Sequence, residues 1–150
     1  MGHSMSVSQD SKPNDHVIDR VRRVLRKGRR SVYVLTDFAD CGTPSAVRRA
    51  LRDLERGEEV TKVSLGAWAK LQPSRWFSGE RMLTKDPHRI AVETMMRFGY
   101  KPRQTPAERD YNEGRSTQVP TGQVIGLDRP TRRKVVVAGM TPAFVAVRKG

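Results

Sequence analysis

A chain of 150 residues with 36% apolar side chains and 6% aromatics can form one domain or two small ones around a modest core. Its formal charge of +13, carried by arginine more than lysine, points to a polyanionic partner, nucleic acid first. It has no run of 18 apolar residues, no apolar leader and one cysteine, Cys41, which argues against a membrane span, a secreted chain and a disulfide or zinc site and predicts a cytoplasmic protein. Residues 1–72 carry 14 basic against 9 acidic residues and residues 73–150 carry 15 against 7, so charge alone singles out neither half.

Residues 1–14 are polar and are expected to form a disordered tail, with Met1–Ser4 reading as a cloning remnant ahead of Met5. The first helix is predicted over Asp15–Lys27, where Ile18, Val21 and Leu25 fall on one face and Gly28 follows as the stop. Ser31–Leu35 is a short β-branched and aromatic run, hence a strand. Thr36 then starts a helical turn through Phe38, closed by Gly42. Thr43 is an N-cap and Pro44 sits in the first helical position, where its missing N–H does no harm. The helix they open buries Val47, Ala50, Leu51 and Leu54 and stops at Gly57. Glu59–Val63 and Ala67–Leu71 read as two strands joined by a tight turn at Gly66.

Helix, strand, turn, helix and hairpin in that order predict a winged helix-turn-helix over residues 15–72. Residues 73–84 read as a linker rich in Pro, Ser and Gly, with Trp76 and Phe77 expected to pin it to one domain. A capped helix follows from Asp86 and Pro87, with Ile90, Ala91, Thr94, Met95 and Phe98 inward and Gly99 as the stop. Thr105 and Glu108 make a capping box for a shorter helix ending at Gly114. Gln123–Leu127, Lys134–Ala138 and Phe144–Arg148 are strand candidates, so residues 85–150 read as a small α+β unit and the whole chain as α+β.

In a helix-turn-helix the second helix enters the major groove and its N-terminal half reaches base edges. That half exposes Ser45, Arg48, Arg49 and Arg52 when Val47 and Leu51 point inward, and an arginine fork suits guanine O6 and N7. The free N–H groups from Thr43 onward suit a phosphate. Lys62, Ser64 and Lys70 on the wing, with Arg29 and Arg30 after the first helix, complete the expected DNA-binding set. The carboxylate groups Asp37/Asp40, Glu58/Glu59 and Glu108/Asp110/Glu113 lack a paired base or metal-spaced histidine, and no phosphate-binding or nucleophile-elbow motif occurs. No catalytic residue, metal or cofactor is expected.

The stretch TDFADCGTPSAVRRALRDLERGEEVTKVSLGAWAKL, with Leu51, Leu54, Gly57, Gly66 and Trp68, resembles the N-terminal winged-helix domain of AbiEi-type antitoxins of type IV toxin–antitoxin systems. GRSTQVP at Gly114–Pro120 is similar to the G-L-S-T-Q-V-P signature of that family's second domain, with Arg115 in place of the usual Leu. Leu127–Arg132 matches the family's T-D-G-P-S-R segment in part, and the closing strands resemble its next hairpin. The resemblance spans roughly residues 17–150. It implies a repressor that binds its own promoter as double-stranded DNA, at repeated or inverted half-sites bound by two copies, and that is paired with a nucleotidyltransferase-like toxin. The other reading of the same elements is a winged-helix module for a protein or structured RNA partner. Ser116, Thr117 and Pro120 have a structural role on their own chemistry, bonding nearby backbone and fixing a turn.

Overall fold

The computed structural model describes residues 16–120 and 123–148. Among them the chain is a mixed α+β protein with four α-helices and two sheets. Helix α1 (Val17–Lys27) starts where Asp19 accepts the His16 N–H at 3.1 Å, and it buries Val21 and Leu25. Strand β1 (Val32–Val34) leads into a 3₁₀ turn (Leu35–Phe38) and then α2 (Pro44–Arg56). The Thr43 hydroxyl caps α2 by accepting the Ala46 N–H at 3.2 Å, and Val47, Ala50, Leu51 and Leu54 form its buried face. Strands β2 (Val60–Ser64) and β3 (Ala67–Pro73) follow as a hairpin, then β4 (Arg81–Leu83), α3 (Pro87–Arg97), β5 (Pro102–Arg103), α4 (Pro106–Asn112), β6 (Val124–Leu127) and β7 (Ala143–Ala146).

The first sheet runs β1-β3-β2, and β4 pairs with the far end of β3. Its register sets Val32 opposite Ala69, Tyr33 opposite Trp68 and Val34 opposite Ala67. Side chains alternate between faces along a strand, so this register sorts the residues into two sets. Tyr33, Trp68 and Val60 join Val21, Leu25, Phe38, Leu51 and Leu54 in a core under α1 and α2. Val32, Val34, Ala67, Ala69 and Val63 join Ile90, Ala91 and Met95 of α3, with Ile125, Leu127, Val135 and Val137, in a second core on the opposite face. One sheet thus carries a helical pair on one side and the second half of the chain on the other. The second sheet, β5-β6-β7, contributes Ile125 and Leu127 of β6 to that second core.

Several expectations for residues after 72 need correction. The segment 73–84 read as a linker carries a strand: β4 pairs Leu83 with Leu71, Met82 with Gln72 and Arg81 with Pro73. Trp76 and Phe77 pin nothing, being 75% and 64% exposed at the tip of the β3–β4 connection. The Ser74 hydroxyl accepts both their N–H groups at 3.1 Å, so the turn closes on its own backbone. Lys134–Ala138 forms no strand. Ala138 and Gly139 take positive φ, and Val137 and Met140 exchange backbone hydrogen bonds across a tight turn before a ladder can extend. The segment instead lies along β2, where Val136 N–H donates to Val63 O at 2.8 Å. The closing strands do not form a hairpin, because β6 and β7 pair in parallel. The tail expected over residues 1–14 lies outside the described residues.

Gly28 ends α1 for a different reason from the one its position suggests. Its backbone is extended (φ −75°), so no left-handed turn demands glycine. A Cβ there would sit 2.1 Å from the Tyr33 hydroxyl oxygen and 2.9 Å from the ring carbon bearing it. Tyr33 is buried and cannot swing away without leaving the core. Gly28→Ala is therefore expected to cost about 1–3 kcal/mol through overpacking. Urea unfolding of the pair Gly28→Ala and Gly28→Ala/Tyr33→Phe checks this, since removing the hydroxyl should recover part of the loss.

Candidate nucleic-acid interface

The candidate surface is built on α2. Burial of Val47, Ala50, Leu51 and Leu54 fixes the helix rotation, and the remaining positions of its first three turns face solvent. Ser45, Arg48, Arg49 and Arg52 are all exposed there. No ion-pair or hydrogen-bond partner for the Arg48, Arg49 or Arg52 side chain occurs among the described residues. Arg30 and Arg103 share this property, whereas several other arginines are paired. Arg22 pairs with Glu59 at 3.2 Å, Arg56 with Asp53 at 2.8 Å, and Arg97 with Asp37. The last turn of α2 is thus locally neutralised, whereas its first three turns present three uncompensated guanidinium groups behind a capped N-terminus.

Three braces hold α2 in place. Arg20 of α1 donates to Cys41 O at 3.1 Å in the turn before it. Asp37 accepts the Val34 N–H at 2.9 Å and pairs with Arg97 from α3, which ties the 3₁₀ turn to the second half of the chain. Glu55 accepts the Lys62 N–H at 3.0 Å and ties the end of α2 to β2. Cys41 fills the turn as a buried small residue, and burial pushes its thiol pKa up, which disfavours the thiolate.

The hairpin beside α2 departs from expectation at two of its three chosen residues. Lys62 is exposed on β2, and its backbone N–H donates to Glu55 of α2. Ser64 is buried, donating its hydroxyl to Lys134 O at 2.7 Å, so it is no phosphate contact. A register shift between Lys62 and Ser64 turns that side chain inward. Lys70 lies in the central strand with its ammonium on Gly28 O at 3.3 Å, where it secures the loop after α1. Arg29 and Arg30 are exposed but leave the sheet at the other end from the hairpin turn. Lys70 N–H donates to Ser31 O at 2.9 Å, which places the two arginines beyond Lys70, whereas the turn lies at Gly66. Four strand residues separate these ends, about 13 Å. Arg29 and Arg30 therefore lie apart from the hairpin turn, not beside it.

A residue that sequence reasoning missed supports the hairpin turn from outside. Arg133 donates to Leu65 O at 2.7 Å and stacks on Phe98 with 3.5 Å from its guanidinium carbon to the ring centroid. Leu65 itself is 78% exposed at the tip. Nothing in the local sequence signals a contact spanning 68 positions.

At the Thr105–Glu108 capping box the expected local bonds are present: Thr105 N–H to Glu108 at 2.8 Å and Glu108 N–H to Thr105 at 3.1 Å. Gln118 N–H donates to the Ser116 hydroxyl at 3.2 Å, so Ser116 does bond nearby backbone. Arg115 pairs with Asp110 and Glu113, which engages two of the carboxylates of that region. Among the described residues no group of three or more His, Cys, Asp or Glu is placed to hold a metal ion. Among the same residues no helix is long and apolar enough to cross a membrane. No family model, curated protein or solved structure matches the chain.

Proposed function

We propose that the chain is a sequence-specific double-stranded DNA-binding repressor. In this reading residues 15–72 act as a winged helix-turn-helix, with α2 as the recognition helix and the β2–β3 hairpin as the wing. The order α1, β1, turn, α2, β2, β3 and the strand order β1-β3-β2 support the assignment. The observation that carries it is the unpaired set Arg48, Arg49 and Arg52 on the solvent face of the first three turns of α2. Long cations left without internal partners on the one helix face turned to solvent suit phosphates and guanine edges. Repression is then steric, by occupation of a promoter. The resemblance to AbiEi-type antitoxins adds the proposal that the promoter is the protein's own and that the operon encodes a nucleotidyltransferase-like toxin.

The test is binding to a duplex from the upstream region of its own gene, against a scrambled duplex of equal composition, across a salt series. A steep salt slope with at least a hundredfold preference for the native duplex supports the repressor. Equal binding to both duplexes, or preference for structured RNA, overturns it in favour of a binding module for another partner.

A further inference from the structure

A groove of about 820 Å³ opens on the side of the molecule formed by α3, β5 and β6. That volume lies in the range of small-molecule sites. Five cations line it: Lys85 pairs with Glu93, Arg89 with Asp86 and Arg97 with Asp37, which leaves Arg30 and Arg103, and Glu108 is the other lining carboxylate. Both carboxylates are already committed. Glu93 accepts the N–H groups of Ser31 and Val32, and Glu108 accepts that of Thr105. Arg30 and Arg103 have no ion-pair partner among the described residues. Arg97 is held by Asp37, yet its Nε–H is buried with no acceptor.

The groove is not merely charged. Val92, Met96 and Ile125 also line it, and Met96 is 53% exposed although it lies on a helix whose neighbours Ala91 and Met95 are buried. A polarisable thioether beside branched apolar side chains suits the face of a planar ring. Gln104, on the same wall, offers both a donor and an acceptor for a ring edge. We propose that this groove binds a nucleoside phosphate, with Arg30 and Arg103 on the phosphates and the Met96 wall against the base. The proposal does not depend on DNA binding by α2, which uses other residues.

The experiment is calorimetric titration of the full chain with ADP, adenosine and inorganic phosphate. ADP is expected to bind at one site, at least tenfold more tightly than adenosine or phosphate. Arg30→Ala/Arg103→Ala should weaken ADP at least tenfold. Met96→Glu, at an exposed position that tolerates a polar side chain, should do the same with the fold intact by circular dichroism. Arg48→Ala/Arg49→Ala/Arg52→Ala should leave ADP binding unchanged, which separates this site from the α2 surface. Three outcomes overturn the proposal: no ADP binding at millimolar concentration, phosphate binding as tight as ADP, or ADP affinity unaltered in both groove variants. A fall in duplex affinity for Arg30→Ala/Arg103→Ala in a chain that binds no ADP would assign the groove to the nucleic-acid surface instead.

Discussion

Arg48→Ala/Arg49→Ala/Arg52→Ala is expected to lower affinity for the native duplex at least a hundredfold, about 3 kcal/mol. Each arginine that reads a base in a bidentate pair contributes about 1–3 kcal/mol, and neighbours on one helix do not add fully. The three side chains are exposed and touch no carboxylate, so their removal leaves nothing buried unpaired and the fold should be unaffected. The salt slope should fall by about 0.9 for each phosphate no longer neutralised. Lys101→Ala/Arg75→Ala/Arg148→Ala removes the same charge from exposed positions in the second half. That control should change affinity less than about threefold if α2 is the reading surface, since long-range charge is screened beyond about 10 Å at 0.1 M salt. Equal loss in both triple variants would mean that net charge, not the α2 face, binds DNA.

Glu93→Ala should be the most damaging single substitution of a charged residue, at about 2–4 kcal/mol. One carboxylate oxygen accepts Ser31 N–H at 3.0 Å and Val32 N–H at 2.9 Å, and the other holds Lys85 at 3.0 Å. Alanine strands two backbone donors at residues only 3% and 0% exposed, each at about 1–3 kcal/mol. Glu93→Gln keeps an oxygen for both donors and loses only the ion pair with a half-exposed lysine, so it should cost about 1 kcal/mol or less. Denaturant melts of the two variants decide the point. Equal losses would mean that the charge, rather than the acceptor, carries the effect.

Local grammar was legible wherever it rests on neighbours in sequence. The caps at Thr43, Asp86 and Thr105 each accept the expected N–H, because that chemistry is decided within four residues. The buried face of α2 matches its 3.6-residue pattern at all four positions. Glycine as a stop was less dependable. Gly57 has φ −82°, and the left-handed position after α2 belongs to Glu58 at +59°. Contacts between distant parts were not legible at all. Ser64 and Lys70 have the polar chemistry expected of wing contacts, but a register shift and a carbonyl 42 residues away claim them. The Arg97–Asp37 pair and the Arg133 brace span 60 and 68 positions, and no periodicity encodes such meetings. One signal did lie in the strands. SVYVL and AWAKL are apolar at both odd and even positions, which is the mark of a sheet covered on two sides rather than one.

That two-sided sheet governs how the molecule comes apart. A fragment ending at residue 72 would lay bare Val32, Val34, Val63, Ala67 and Ala69 as one flat apolar face, while losing the Glu93 acceptor from its first strand. A flat apolar face of that kind invites association with other copies. The strands that position α2 are also half the wall of the second core, so neither core can melt while the other stays native. The whole chain is the cooperative unit, and a destabilising lesion at Ile90 or Leu127 should be felt by the α2 surface as a fall in the folded population, though neither residue touches it.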